Sequence, residues 1–221
     1  MSILNEELMR RCASIATSTW ADALDVMGIH GVVEGITLRA GTGRVIGTAA
    51  TGRHVVGKLG DFDRSEFSVG KLVAAARPGK ILMVDVGGAA ISTFGGIAST
   101  AASLQKATAV IIDGACRDVD EIQETGLWMA SRHVTPLTGK GRLKLVEMGG
   151  TVAIGGVSVS EGDLVVGDDT GIVVIPQDRL LDVLAAAEAA LAVDDAVLAG
   201  VKSGKTFADA AAAANYIPKA D

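Results

Sequence analysis

The sequence predicts a single α/β domain with helices at both ends, on three observations. Between about residues 36 and 176, short β-branched runs recur with glycine between them, the texture of strands joined by tight connections. Aromatic residues make up 3% of a chain that is 49% hydrophobic, so the core must be built from Val, Ile, Leu and Ala, which suits parallel strands under small-residue helices. Apolar positions in residues 3–28 and beyond Pro176 fall at helical spacing. A chain of 221 residues can bury a sizeable core in one domain. The division read from it is N-terminal helices over 1–30, an α/β core over 36–176 and a C-terminal helical extension over 177–221.

Taken in order, residues 3–28 predict two helices, the second beginning near Trp20 with Thr17, Ser18 and Thr19 as candidate caps and stopping at Gly28. "GRVIGTAATGRHVVG" reads as a strand and residues 64–76 as a helix. "KILMVDVGG" is a strand ending at Gly87-Gly88, residues 96–107 are a helix opened by Gly95-Gly96, and "ATAVIIDG" is a strand ending at Gly114. Strand, helix, strand over 80–113 predicts a right-handed parallel crossover. "GTVAIGGVSVSEGDLVVGDDTGIVVIP" supplies further strands, with Asp168-Asp169-Thr170-Gly171 as a hairpin turn. After Pro176 come a long Ala/Leu helix to about residue 199, a second short helical piece and a loose tail.

A formal net charge of −6, with no Lys/Arg-rich run, argues against a nucleic-acid footprint or an anionic membrane surface. The Ala-rich run at 180–193 is interrupted by Asp182 and Glu188, so it does not read as a membrane span. Cys12 and Cys116 form neither a disulfide framework nor a zinc spacing, and "MSILNEELMRRC" lacks the long apolar stretch of a signal peptide. A cytoplasmic protein acting on small polar molecules is the expectation.

The crossover places both strand exits on one edge of the sheet, where open α/β sheets hold ligands. The helix begun by Gly95-Gly96-Ile97-Ala98 offers unpaired N–H groups there, and glycine lets an anion come close. Arg117 and Asp118 follow the next strand, adding a guanidinium and a carboxylate. Each part also has an ordinary reading: paired glycine as turn chemistry, Asp118 as a helix cap, Arg117 in a surface ion pair, Glu121 as a first-turn acid.

Gly96, twenty residues, Arg117-Asp118, two residues, then Glu121 resembles the G-x20-R-D-x2-E/D signature of the class II pyruvate aldolases that cleave 4-hydroxy-4-methyl-2-oxoglutarate and 4-carboxy-4-hydroxy-2-oxoadipate. Their superfamily includes the RraA regulators of ribonuclease activity. "STWADALDVMG", "IIDGACRDVDEI", "HVTPLTGKG" and "SEGDLVVGDDTGIVVIP" resemble family segments in the same order, over roughly residues 15–200. The resemblance implies an α-β-β-α fold of the swivelling phosphohistidine-domain type, in homotrimers or homohexamers with sites between subunits. It implies that Asp118 binds a divalent metal, usually magnesium or manganese, largely through water. It further implies that Arg117 contacts the pyruvyl ketone oxygen and that the loop Gly95, Gly96, Ile97, Ala98 gives amides to the pyruvyl carboxylate. A carboxylate on the neighbouring subunit's C-terminal helix would support the metal's waters. Asp194 or Asp195 stands where relatives often carry glutamates, and Glu121 is a further candidate.

Retro-aldol cleavage of a 4-hydroxy-2-oxo acid needs a base at the C4 hydroxyl and an electron sink for pyruvate enolate. A metal chelated by the 2-keto acid is such a sink, a water on it serves as base, and the same sink serves oxaloacetate decarboxylation. Two alternatives are a non-catalytic regulator, a class that can lack the acid after the arginine, and a Schiff-base aldolase using Lys80. Among the other polar residues, His30, His54 and His133 are too scattered for zinc. The segment with Arg53, His54 and Asp61 reads as pocket lining or solvated loop, Asp85 and Asp113 as turn-forming acids, and Cys116 as a small buried residue.

Overall fold

The structure is a computed structural model that describes residues 5–216. Positions 1–4 and the part of the expected tail from 217 onward lie outside the described residues. The chain begins with α1 (Glu6–Ser14) and α2 (Thr17–Val26), followed by β1 (Thr37–Ala40) and β2 (Val45–Val56). Then come a 3-10 turn at Arg64–Phe67, α3 (Val69–Ala74), β3 (Lys80–Asp85), β4 (Ser92–Phe94), α4 (Gly96–Leu104), β5 (Ala109–Cys116) and α5 (Val119–Glu124). The second half runs β6 (Trp128–Val134), β7 (Leu143–Met148), β8 (Val152–Ile154), β9 (Val157–Val159), β10 (Leu164–Gly167) and β11 (Ile172–Ile175), and ends with α6 (Leu180–Lys202) and α7 (Phe207–Ala213).

One nine-stranded mixed sheet runs β1-β6-β5-β3-β2-β10-β11, with β4 added on β5 and β7 on β2. Strands β2, β3, β5 and β6 are mutually parallel neighbours, and β1, β7, β10 and β11 pair antiparallel. Residues on β3 and β5 alternate between two cores, as a period of two requires. Leu82, Val84, Val110 and Ile112 face the core under α3, α4 and α5, with Leu72, Ala102 and Ile122. Ile81, Met83, Ala109 and Ile111 face the opposite core, closed by the β8–β9 ribbon through Val152, Ile154, Val157 and Val159. A third core joins α1, α2 and α6 to β10 and β11. The α/β fold with helices at both ends is therefore the one expected, and the parallel pairing of β3 with β5 around α4 is the expected crossover.

Local details depart from the sequence reading. The second helix begins at Thr17, and no hydroxyl of Thr17, Ser18 or Thr19 caps it. Its first turn is held by Asp168 of the β10–β11 hairpin, whose carboxylate accepts from Thr17 N at 3.2 Å and Thr17 Oγ1 at 2.7 Å. That carboxylate also accepts from the turn amides of Thr170 and Gly171. The expected helix over 64–76 is two pieces, because Ser68 adopts φ 45° between them. The long helix starts at Leu180, after a 3-10 turn at Gln177–Arg179 that Pro176 precedes, and continues to Lys202.

β5 runs past Gly114 to Cys116, so Arg117 follows it directly. Strands β1, β4, β6 and β7 went unread: β1 and β4 are only four and three residues long, and the last three residues of β6 leave the core. Asp113 lies inside β5 and is no turn former. It takes Arg132 Nε at 2.6 Å and Gly155 N at 2.7 Å, while Asp85 both accepts from Gly87 N at 2.8 Å and reaches Ala153 N at 3.2 Å. The two acids fasten the β8–β9 ribbon to the sheet.

Candidate active site

The crevice starts from the pairing of β4 with β5. Arg117 N donates to Phe94 O at 3.0 Å, which sets Arg117 beside Gly95 although 22 positions separate them. Asp118 then takes φ 52° and ψ 48°, a left-handed conformation that aspartate tolerates better than most residues and that is found disproportionately at functional sites. It occupies the N-cap position of α5 without capping it. Instead its Oδ2 accepts from Gly96 N at 3.2 Å and lies 3.3 Å from Arg117 Nε.

This contact explains the paired glycines. A Cβ on Gly95 would strike Asp118 Oδ2 and come within 2.9 Å of Arg117 Nε, and one on Gly96 would overlap the Glu121 carboxylate. Neither glycine has a positive φ, so close approach requires them, not turn geometry. Gly95, Gly96, Arg117, Asp118 and Glu121 are therefore one packed constellation. Of the N-terminal amides of α4, Gly96 N is taken by Asp118, while Ile97 N and Ala98 N have no partner among the described residues. The helix dipole adds to the positive potential there.

A cleft of about 290 Å³ opens beside this constellation, with Arg117, Gly95 and Ile97 on one side and Phe67, Val69 and Val73 on the other. Its floor includes Thr93, whose Oγ1 is buried and without a hydrogen-bond partner. Lys140 also lines it, brought in because Leu137 O accepts from Ser92 N at 3.0 Å, and no ion pair engages Lys140 among the described residues. Lys140 and the segment 67–73 were not singled out in the sequence. The one available signal was the position of Lys140 inside "HVTPLTGKG".

Other candidates lie elsewhere. Asp194 and Asp195 are on α6, which packs on α2 and α7, and neither side chain hydrogen-bonds or ion-pairs among the described residues. No three His, Cys, Asp or Glu side chains gather as a metal cluster among the described residues. Lys80 starts β3 at the opposite end from the crevice and sits 3.3 Å from Glu161, a place suited to a structural ion pair and not to a nucleophile. His54 is no solvated loop residue: it is buried in β2, its Nε2 lies 3.3 Å from Phe67 O, and burial lowers its pKa below 6.5. Arg53 pairs with Glu147 at 2.9 Å, and Asp61 accepts from Lys58 N at 2.7 Å, so neither enters the cleft. Cys116 is fully buried, 3.4 Å from Ser131 Oγ, and burial raises its pKa. A larger cleft of about 700 Å³ lies over 38–42 and Trp128, but its guanidinium, Arg39, is already bound to Ser131 Oγ and to the carbonyls of Ser131 and Arg132.

The fold and crevice define a class: α/β proteins with a mixed sheet, helical ends and a β-α-β crossover whose helix start faces an Arg-Asp pair. Residues 17–174 match the family described as RraA-like: Aldolase/RraA, and the chain belongs to that family. It is 27% identical over 198 residues to the "Putative 4-hydroxy-4-methyl-2-oxoglutarate aldolase" of Halalkalibacterium halodurans, covering 89% of both chains. It is 26% identical over 206 residues to protein DlpA of Legionella pneumophila, covering 92% of this chain and a third of that protein's length. Among solved structures, an uncharacterized protein from Pseudomonas syringae superposes with TM-score 0.84 at 24% identity over 95% of both chains. Streptomyces coelicolor RraAS2, of the RNase ES inhibitor RraA protein family, superposes with TM-score 0.73 at 24% identity, covering 83% of this chain and 91% of its own. No helix among the described residues is long and apolar enough to cross a membrane.

Proposed function

We propose that the protein cleaves a 4-hydroxy-2-oxo acid by a retro-aldol reaction that releases pyruvate, with a divalent metal such as magnesium, and that it also decarboxylates oxaloacetate. The observation that supports this reading is the clustering of the unpaired Ile97 and Ala98 amides, the Arg117 guanidinium and the Asp118 carboxylate at the start of α4, beside the cleft that Ile97, Ala98 and Arg117 line. The donor set fits a hard, water-rich cation: the Asp118 and Glu121 carboxylates lie against Gly95 and Gly96, and magnesium is commonly held by one or two carboxylates. When bound, such an ion supplies Lewis acidity toward a 2-keto acid.

The chain's own residues do the rest. The amides of Ile97 and Ala98 bind the pyruvyl carboxylate, and Arg117 stabilises the charge that develops on the C2 oxygen as the C3–C4 bond breaks. Asp118 orients Arg117 and, with Asp194 or Asp195 of a neighbouring copy as further support, would hold the cation. The partners are thus a small 2-oxo acid and other copies of the chain, in a homotrimer or homohexamer. The alternative is a regulator without chemistry, a class that can lack the acid after the arginine, where this chain has Asp118.

The test is pyruvate release from 4-hydroxy-4-methyl-2-oxoglutarate, 4-carboxy-4-hydroxy-2-oxoadipate and oxaloacetate, after chelation and after adding back magnesium. Turnover lost to the chelator and restored by magnesium is expected. No metal-dependent turnover of any such acid would overturn the reading in favour of the regulator.

A further inference from the structure

Strand β4 is three residues long, and each residue makes a separate contribution beside the cleft. Ser92 anchors the loop that carries Lys140: its N–H donates to Leu137 O at 3.0 Å, and it bridges to Thr138. Phe94 anchors Arg117, whose N–H donates to Phe94 O at 3.0 Å. Thr93 stands between these two attachments, 3% exposed, with a hydroxyl that finds no hydrogen-bond partner. An extended residue rises about 3.3 Å, so the two attachments are roughly 7 Å apart along the strand. Arg117, Thr93 and Lys140 all line the one cleft.

The two cations are not equivalent. Arg117 is shared with Asp118, whereas Lys140 has no ion pair among the described residues, and no acidic side chain lines the cleft. The backbone beneath Lys140 is nonetheless fixed. A Cβ on Gly139 would come within 2.5 Å of Phe67, 2.7 Å of Ser92 O and 2.8 Å of Leu143, and Lys140 N donates to Thr138 Oγ1 at 3.3 Å. A free ammonium held on such a loop, over a cleft without acids, is a standing partner for an anion. The Thr93 hydroxyl is a second, independent sign of a ligand, because a buried polar group without a partner carries a desolvation cost that a ligand's acceptor would remove. The Ile97 and Ala98 amides and Arg117 already provide for the pyruvyl carboxylate and ketone. The lysine and the hydroxyl are left for another group of the same molecule.

We infer that Lys140 Nζ and Thr93 Oγ1 receive a second carboxylate, carried on C4 of the substrate, and that Lys140 is the residue that selects a dicarboxylic 4-hydroxy-2-oxo acid over a monocarboxylic one. This rests on the reading of the site as a pyruvyl-releasing one. The ammonium and the hydroxyl both donate, and a carboxylate has an oxygen for each. A neutral alkyl group in the same place would leave the buried hydroxyl without an acceptor and cover the ammonium with nothing to offset its lost hydration. The 290 Å³ of the cleft falls at the small end of ligand pockets, roughly 300–1,000 Å³, which suits a short diacid.

The experiment compares pyruvate release, with magnesium, from 4-hydroxy-4-methyl-2-oxoglutarate and from 4-hydroxy-4-methyl-2-oxohexanoate, in which an ethyl group replaces the second carboxylate. The proteins are the native chain, Lys140→Gln, Lys140→Arg and Thr93→Val. Native kcat/KM should favour the diacid by about tenfold or more, since a site built to hydrogen-bond a group rejects the analogue that lacks it. In Lys140→Gln the ratio of diacid to monoacid kcat/KM should fall by about tenfold, the scale of one hydrogen bond to a charged group, chiefly through KM for the diacid. Lys140→Arg keeps the charge and should keep most of the ratio. Thr93→Val keeps the shape without the hydroxyl and should lower the ratio by about threefold or more. Lys140 is exposed, so its variants test the inference even if Thr93→Val fails to fold. A native preference for the monoacid, or an unchanged ratio in Lys140→Gln, overturns the inference and leaves the pyruvyl site standing. An equal fall in Lys140→Gln and Lys140→Arg overturns recognition by charge, and an unchanged ratio in a folded Thr93→Val overturns the part given to the hydroxyl. Absence of turnover of both acids overturns the inference and the pyruvyl reading together.

Discussion

Asp118 turns away from the helix it begins and places its Oδ2 3.2 Å from the amide of Gly96, the first residue of the preceding helix. The carboxylate is thereby fixed next to Arg117, which itself lines the cleft.

Replacing Asp118 with Asn keeps an oxygen that can accept from Gly96 N but removes the charge. Pyruvate release should fall by about 10²-fold or more, comparable to deleting one preorganised electrostatic group, with little change in melting temperature. Steady-state assays beside thermal unfolding check this, and near-native turnover would remove Asp118 from the chemistry.

Gly96 and Glu121 compete for the same volume. Gly96→Ala should destabilise by about 1–3 kcal/mol, the usual cost of overpacking, despite the better helix propensity of alanine. Adding Glu121→Ala should return part of that loss, since the carboxylate is gone while the Cβ at 121 still lies 2.8 Å from the new methyl. A double-mutant cycle by urea unfolding measures the coupling, and strictly additive effects would contradict the overlap.

Asp168→Ala should cost about 0.5–2 kcal/mol, the range for a lost helix cap, and should raise amide exchange at Thr17–Thr19 ahead of the rest of the chain. Exchange confined to the 168–171 turn would show that the carboxylate serves only its own hairpin.

His54 makes stability depend on pH. Burial lowers its folded-state pKa below the ordinary 6.5, so above pH 6.5 the ring is neutral in both states and its contribution is complete. Below 6.5 the unfolded chain takes up the proton first, and stability declines toward the folded value. Unfolding free energy measured from pH 8 to 5 should fall on the acid side, and His54→Gln should flatten that slope.

The strands most legible in the sequence were β3 and β5, because burial on both faces made them continuous Val/Ile/Leu runs bounded by glycine. The crevice was legible for a related reason: Gly95-Gly96 and Arg117-Asp118 each flank a crossover element, so one helix and one strand set their separation. Strand β6 was obscured because its last three residues, Arg132, His133 and Val134, leave the core and break the apolar run. The Asp168 cap on α2 was beyond reach of local rules, since the residues are 151 positions apart. Lys140 reaches the cleft through the backbone contact of its loop with β4, a pairing no periodicity encodes.

The Asp168 contact also orders events during synthesis. When α2 leaves the ribosome, the carboxylate that completes its first turn has not been made, and neither have β10 and β11, whose side chains fill the core beneath it. A nascent chain that stops before position 168 holds this helix only by local propensity, too little for ten residues in water. The amino-terminal end is thus translated first and secured among the last, so a chain truncated before the hairpin should expose Trp20 and Leu24 to solvent and to the cell's quality control.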